Sequence, residues 1–263
     1  MKTINPNKDL NIKRFLFPDN QPHVNIQHIQ EGDDVKVICS ITDTVVLLQL
    51  LQCADAIDNA FAKKKELVIP YLMGARYDRL MQAGDSIDLK VIAGLINSMQ
   101  FEKVILLDVH SDASVLLIKN AVNISNEFLV KAYKKDNAVL ICPDAGAAKK
   151  LGKYFEWNKN IVDIVYCNKS RDLSNGKISL KLLEPEKCQD RNCVIIDDLC
   201  DGGATFLAIA EQITPVHLSL IVTHGIFSKG FTALEEKFNE IIVSDSYYKA
   251  YNSKIVTKIN ADL

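Results

Sequence analysis

The sequence predicts an α/β protein of two domains, each a mainly parallel sheet flanked by helices. Three observations predict it. Short apolar runs of strand length alternate with segments of helical periodicity, the pattern of strand–helix–strand crossovers. Acids follow three of those runs, at Asp108, Asp144 and Asp197, and open α/β sheets bind ligands at the carboxyl ends of their strands. The 263 residues can fill one large domain or two small ones, and the apolar pattern restarts after Ile118-Lys119-Asn120. This places a soft boundary near residue 123 and gives domains 1–122 and 123–245. The tail 246–263 can pack back on the first.

The elements follow in order. Val24–Ile29 and Val35–Ser40 read as strands around a turn at Glu31-Gly32-Asp33-Asp34. Thr42 is the expected N-cap of a helix whose buried face carries Val46, Leu47, Leu50, Leu51, Ala54, Ile57 and Phe61. Lys63-Lys64-Lys65 reads as its cationic C-terminus. Leu67–Pro70 is a strand. Tyr71–Gly84 is a polar, basic loop, and Ser86 is the expected cap of a helix reaching Met99. Strands are expected at Val104–Leu107, Val139–Cys142, Ile161–Val165, Ile178–Leu182, Val194–Ile196, Leu218–Val222 and Ile241–Ser244.

Composition narrows the class. Hydrophobic content of 48% and charged content of 24% suit a globular protein with a full core. A net charge of −2 favours neither a nucleic-acid nor an anionic-membrane partner, so any positive field is local. The seven cysteines form no C-x-x-C pair and sit mostly in apolar patterns, which reads as buried thiols in a reducing compartment. The N-terminus lacks an apolar leader and no run is long enough to span a bilayer. The expectation is a soluble, cytoplasmic protein.

The most informative stretch is Val194–Phe206. A buried strand delivers Asp197 and Asp198, and carboxylates accept hydrogen bonds from vicinal sugar hydroxyls. Asp201 follows, then Gly202 and Gly203, which permit close backbone approach and positive φ. Helix amides and the Thr205 hydroxyl then suit a phosphate. No Gly-Lys-Ser/Thr follows, so this is not a mononucleotide P-loop. The stretch resembles the ribose-phosphate loop of type I phosphoribosyltransferases.

Other segments carry chemistry less specifically. Arg76 and Arg79, in Gly74-Ala75-Arg76-Tyr77-Asp78-Arg79, read either as a bidentate phosphate clamp or as a surface ion-pair cluster. His110 stands between Asp108 and Asp112 just past a strand. Asp144 could hold a magnesium ion that carries substrate phosphates. Lys169 and Arg171 precede a turn at Asp172, Ser174, Asn175 and Gly176, and read either as cations that close over a polyphosphate or as a solvated hairpin. Thr223-His224-Gly225 reads as structural or supporting.

Taken in order along most of the chain, these segments resemble the ribose-phosphate diphosphokinase, or phosphoribosyl pyrophosphate synthetase, family. Phe17-Pro18-Asp19-Asn20-Gln21 is similar to its adenine loop, which serves a neighbouring subunit's site. Pro70-Tyr71 and Gly74 through Arg79 resemble its ATP loop. Asp108-Val109-His110, Pro143-Asp144, Lys169 with Arg171, and Thr223 through Phe227 resemble further family segments. Gln21 stands where the family has glutamate, Tyr77 where it has glutamine and Ala204 where glycine is usual.

The resemblance implies two phosphoribosyltransferase-like domains, ATP on the first and ribose 5-phosphate on the second. It implies diphosphoryl transfer from ATP to O1 of ribose 5-phosphate, giving phosphoribosyl diphosphate and AMP in nucleotide biosynthesis. Phe17, Asp19, Gln21, Arg76, Tyr77, Asp78, Arg79 and His110 would bind ATP. Asp197, Asp198, Asp201, Gly202, Gly203, Ala204 and Thr205, with Arg171, would bind ribose 5-phosphate. Lys169 and Arg171 would be catalytic, and His110 and Asp144 would hold Mg²⁺. A homo-oligomer sharing the ATP site is implied. The alternatives are a phosphoribosyltransferase and a non-catalytic paralogue that assembles with an active synthetase.

Overall fold

A computed structural model describes residues 1–9, 12–171, 178–247 and 250–261, with backbone only at 169–171 and 178–179. The turn expected at 172–176 lies outside the described residues. The chain divides into two compact units, the first essentially Met1–Ser125 and the second Asn126–Asp245 with most of the C-terminal tail.

In the first unit the elements are β1 (Lys2–Ile4), β2 (Ile12–Leu16), β3 (Pro22–Ile26), β4 (Asp34–Ile38), α1 (Thr44–Asn59), β5 (Lys64–Ile69), α2 (Asp88–Ser98), β6 (Lys103–Leu107), α3 (Ala113–Leu117) and β7 (Ala121–Ile124). Among the described residues, five strands form one parallel sheet in the order β1-β4-β5-β6-β7, while β2 and β3 form a separate antiparallel hairpin. The core strands bury apolar positions: Val35, Val37, Leu67, Val68 and Leu106 are inaccessible to solvent. Such runs fit strands covered on both faces. Leu47, Leu50, Cys53, Ala54 and Ile57 form the buried stripe of α1.

The second unit holds α4 (Glu127–Ala132), β8 (Ala138–Cys142), α5 (Ala145–Ala148), α6 (Leu151–Trp157), β9 (Ile161–Arg171), β10 (Ile178–Leu182), a 3₁₀ turn at Pro185–Cys188, β11 (Asn192–Cys200), α7 (Ala204–Ala210), β12 (His217–Gly225), α8 (Thr232–Glu235), β13 (Glu240–Ser244) and β14 (Val256–Ile259). Its described strands form one sheet, β10-β9-β8-β11-β12-β13-β14, parallel except for the β9/β10 pair. The tail therefore contributes the edge strand β14 here, while Ser246 returns to the first unit.

Local chemistry corrects several expectations. The cap of α1 is Asp43, not Thr42: Asp43 Oδ1 accepts from the Val45 and Val46 amides, both at 2.9 Å. The lysines at 63–65 do not close α1. Lys64 and Lys65 begin β5, where Lys64 pairs with Glu66 at 2.6 Å and Lys65 reaches back to Asp58. Ser86 does not cap α2, whose boundary residue is Ile87 with no side-chain cap. β9 and β12 run longer than their apolar cores because neighbouring strands supply backbone partners beyond the apolar run.

The two candidate caps are distinguishable. Asp43→Ala is expected to lower stability by about 1 kcal/mol, and Thr42→Ala by less than half of that, in chemical denaturation of the whole chain. Equal losses would return the cap to Thr42.

Candidate active site

In the second unit, Val194, Ile195 and Ile196 of β11 are fully buried between β8 and β12. The strand therefore presents Asp197 and Asp198, both half-buried, at its carboxyl end. The Asp198 amide donates to Asp197 Oδ1 at 2.9 Å. Ile195 is in register with Ile141 of β8, so Asp144 leaves the sheet from the adjacent strand end. Burial first, then the charge of Asp198, and then that of Asp144, hold the Asp197 carboxyl well above the ordinary aspartate range. The same negative field reaches the thiols. Burial, reinforced by Asp144 and Asp197, pushes Cys142 up to about 11, and burial with Asp197 and Asp201 pushes Cys200 up to about 12. All seven cysteines are unbridged and six are buried, as their apolar settings suggested.

The loop after β11 turns at Gly203, whose φ of 79° lies in the left-handed region. A Cβ there would also sit 3.1 Å from Leu234 Cδ2. Ala204 is the first residue of α7 and is exposed. Alanine is thus tolerated because the residue before it makes the turn. Thr205 lies in the first turn of α7, half-buried. The Ser228 hydroxyl donates to Asp201 Oδ1 at 2.6 Å.

Asp144 serves a local structural purpose as well. Its Oδ1 accepts from the Gly146 amide at 2.9 Å and the Ala147 amide at 3.1 Å, capping α5. These bonds aim the carboxylate past the end of β8. Lys169 and Arg171 lie on β9 beyond its last β8 partner, where Cys142 is in register with Tyr166, and among the described residues they pair with β10: Lys169 with Leu180, Arg171 with Ile178. Since β8 and β9 are parallel, this two-stranded arm continues past the strand end that carries Asp144.

In the first unit, the loop after β5 and the segment after β6 come together. Arg79 forks onto Asp78, with Nε donating to Oδ1 at 2.7 Å and a terminal nitrogen to Oδ2 at 2.9 Å. That guanidinium, and then a hydrogen bond from Ser111, hold the Asp78 carboxyl well below the usual range. Ser111 follows His110, which is exposed. Asp108, at φ 42°, is fully buried and bends the chain after β6. Arg76 and Tyr77 are exposed on the same loop. Gly74 needs its lack of a side chain: φ is 81° and a Cβ would meet Ile92 Cδ1 at 2.5 Å.

Phe17, Asp19 and Gln21 form the tip of the β2–β3 hairpin. The Phe17 amide donates to Gln21 O at 2.9 Å, and Asp19 Oδ1 accepts from the Gln21 amide at 3.1 Å. Phe15, Phe17 and His23 pack together there, with Phe17 44% exposed, so the tip presents an aromatic face to solvent.

Ser111, Ser228, Lys229 and Leu234 were not singled out from the sequence. Each acts across a tertiary contact that spacing does not report. Among the described residues no three His, Cys, Asp or Glu side chains form a ready metal cage, and no helix is long and apolar enough to cross a membrane.

The fold and loop define a protein of two phosphoribosyltransferase-like α/β units. Residues 6–99 match the family model of the N-terminal domain of ribose phosphate pyrophosphokinase. A ribose-phosphate pyrophosphokinase of Maricaulis maris is 28% identical over 92% of this chain and 81% of its own length. The ribose-phosphate pyrophosphokinase 2 of Enterococcus faecalis is 28% identical over 91% of this chain and 77% of its own. The crystal structure of phosphoribosylpyrophosphate synthetase from Mycobacterium smegmatis shares the fold, with a TM-score of 0.81 over 95% of this chain and 85% of that one, at 19% identity. Over most of its length the chain is similar to ribose-phosphate pyrophosphokinases.

Because the folded Asp197 carboxyl binds its proton more tightly than the unfolded one, its contribution to stability is present below the unfolded pKa. That contribution is lost as pH rises through the higher folded value. Asp197→Asn should therefore raise the unfolding temperature at neutral pH by a few degrees, with the gain vanishing in acid near the ordinary aspartate pKa. Thermal scans across pH read this directly. A destabilised variant at neutral pH would contradict the crowding.

Proposed function

We propose that this chain is a ribose-phosphate diphosphokinase, transferring the β,γ-diphosphoryl group of ATP to O1 of ribose 5-phosphate and releasing phosphoribosyl diphosphate and AMP. The observation that carries the reading is the end of β11. There half-buried carboxylates lead directly into a glycine turn at positive φ and a threonine. A sugar phosphate answers both parts. Its hydroxyls donate to Asp197 and Asp198, with Asp201 as a further acceptor. Its phosphate lies along Gly202, Gly203, Ala204 and Thr205. Holding the sugar this way orients O1 for in-line attack on the β-phosphorus.

Arg76 and Arg79 hold the ATP polyphosphate, and the aromatic tip at Phe17, with Asp19 and Gln21, serves adenine binding, as the resemblance implies. Arg79 must exchange Asp78 for phosphate. The pair is solvent-exposed on the arginine side and screened there, so the exchange costs little. Lys169 and Arg171 bring positive charge to the reacting phosphates, where phosphoryl transfer needs charge stabilisation more than covalent help. Arg171 also contributes to ribose 5-phosphate binding.

Asp144 fits a hard cation. It is an oxygen donor beside Asp197 and Asp198, in a field negative enough to raise a neighbouring carboxyl. Asp144 in the second unit, and His110 in the first as the resemblance implies, are each proposed as a metal residue alongside substrate phosphates, and Mg²⁺ when bound would supply charge neutralisation of the phosphate oxygens.

The test is to incubate the chain with Mg-ATP and ribose 5-phosphate and follow phosphorus NMR. AMP with phosphoribosyl diphosphate is expected; consumption of phosphoribosyl diphosphate only in the presence of a base would identify a phosphoribosyltransferase instead. Lys169→Ala should leave ribose 5-phosphate affinity near that of the parent and lower turnover roughly 100-fold or more. Unchanged turnover would remove Lys169 from the mechanism.

A further inference from the structure

We propose that Lys229 is a binding residue for the 5-phosphate of the sugar substrate, an inference that rests on the reading of the β11 loop given above. Asp201-Gly202-Gly203-Ala204-Thr205 contains no cation, and its neighbours Asp197, Asp198 and Asp144 are all acidic. A doubly charged phosphate brought to that loop meets net repulsion unless positive charge comes from elsewhere. The turn after β12 brings it. A Cβ added to Gly202 would lie 3.1 Å from Lys229 Cγ, so the lysine stem runs directly over the glycine. Lys229 is exposed, and its ammonium has no carboxylate partner among the described residues.

The lysine is held there by a built turn. The Ile226 and Phe227 amides donate to Cys200 O at 2.9 and 3.2 Å, and the Ser228 amide donates to Asp201 O at 3.2 Å. The Ser228 hydroxyl reaches Asp201 Oδ1 at 2.6 Å. Phe227 adopts φ 46° and is buried, its ring 4.7 Å from Phe231 and 5.4 Å from Tyr251. A buried aromatic in left-handed backbone fixes the turn's path, and the Gly230 amide closes it onto Phe227 O at 3.0 Å. The backbone of residues 226–230 thus docks on the ribose-phosphate loop, and Lys229 is the cation it delivers. Gly202 leaves the space the stem occupies. A charge-assisted contact of this kind is expected to favour ribose 5-phosphate over the unphosphorylated sugar.

The experiment compares the full-length parent with Lys229→Met, which keeps the stem and removes the charge, and with Lys229→Arg, which keeps the charge. Binding of ribose 5-phosphate and of ribose is measured by calorimetry without ATP, and KM and kcat are measured with Mg-ATP. Lys229→Met is expected to weaken ribose 5-phosphate about tenfold or more, raise its KM in parallel and leave ribose binding as in the parent; Lys229→Arg should recover most of the affinity. Parent-like affinity in Lys229→Met, or a change confined to the KM of ATP, overturns the assignment while leaving the loop reading intact. A parent that does not bind ribose 5-phosphate overturns both.

Discussion

The second unit depends on a concentration of like charge at the end of a buried strand. Val194, Ile195 and Ile196 lock β11 into the middle of the sheet, so Asp197 and Asp198 cannot move away from each other or from Asp144. Hydrophobic packing fixes the position, and electrostatics makes that position unfavourable for the empty chain. A ligand that donates hydroxyls or brings positive charge relieves the conflict, so part of the folding free energy is held against binding. This explains why carboxylates stand here in place of neutral acceptors. A neutral amide would suit the fold better and, under the proposed reading, the sugar less well.

The loop that follows works by the opposite means. Its geometry is relaxed because the strained conformations are placed on residues that accept them. Gly203 takes the left-handed turn, and Ala204 enters α7 in ordinary helical backbone. Phe227, across the loop, is a non-glycine residue in left-handed backbone, held by ring packing with Phe231 and Tyr251. Gly225 admits that ring: a Cβ would come within 2.3 Å of Phe227 Cε2. The Thr223-His224-Gly225 segment is therefore supporting structure that positions its neighbour.

How much of this the sequence disclosed follows from the range of each interaction. Central parallel strands were legible because burial on both faces leaves uninterrupted apolar runs, as at Leu67–Ile69 and Val139–Cys142. The edge strands β1 and β14 were not, since Lys2–Ile4 and Val256–Ile259 are short, partly exposed and defined by their partners. Capping was misplaced by one residue at Thr42, because Thr and Asp both carry side-chain acceptors and only geometry chooses. The carboxylate–glycine stretch was readable because its parts are contiguous. Ser111, Ser228 and Lys229 were hidden because their partners lie 27 or more residues away, as in the Ser228–Asp201 bond, or on another loop.

In the first unit a phosphate clamp and a surface ion pair were indistinguishable in sequence, and the structure shows the ion pair: Arg79 forks onto Asp78. Its fork onto Asp78 satisfies a guanidinium that has no phosphate, and Ser111 gives Asp78 a second donor. The carboxylate is therefore supported from the β6 side even when Arg79 turns away. Arg79 is the exposed member of the pair, so under the proposed reading exchanging Asp78 for a polyphosphate, with its higher charge and several oxygens, would be favourable. Under that reading Asp78 would act as a holder that keeps Arg79 near its working position and limits the side-chain entropy lost on binding. The acid between the two arginines would belong to the proposed clamp for that reason, although it would repel the ligand it helps to bind.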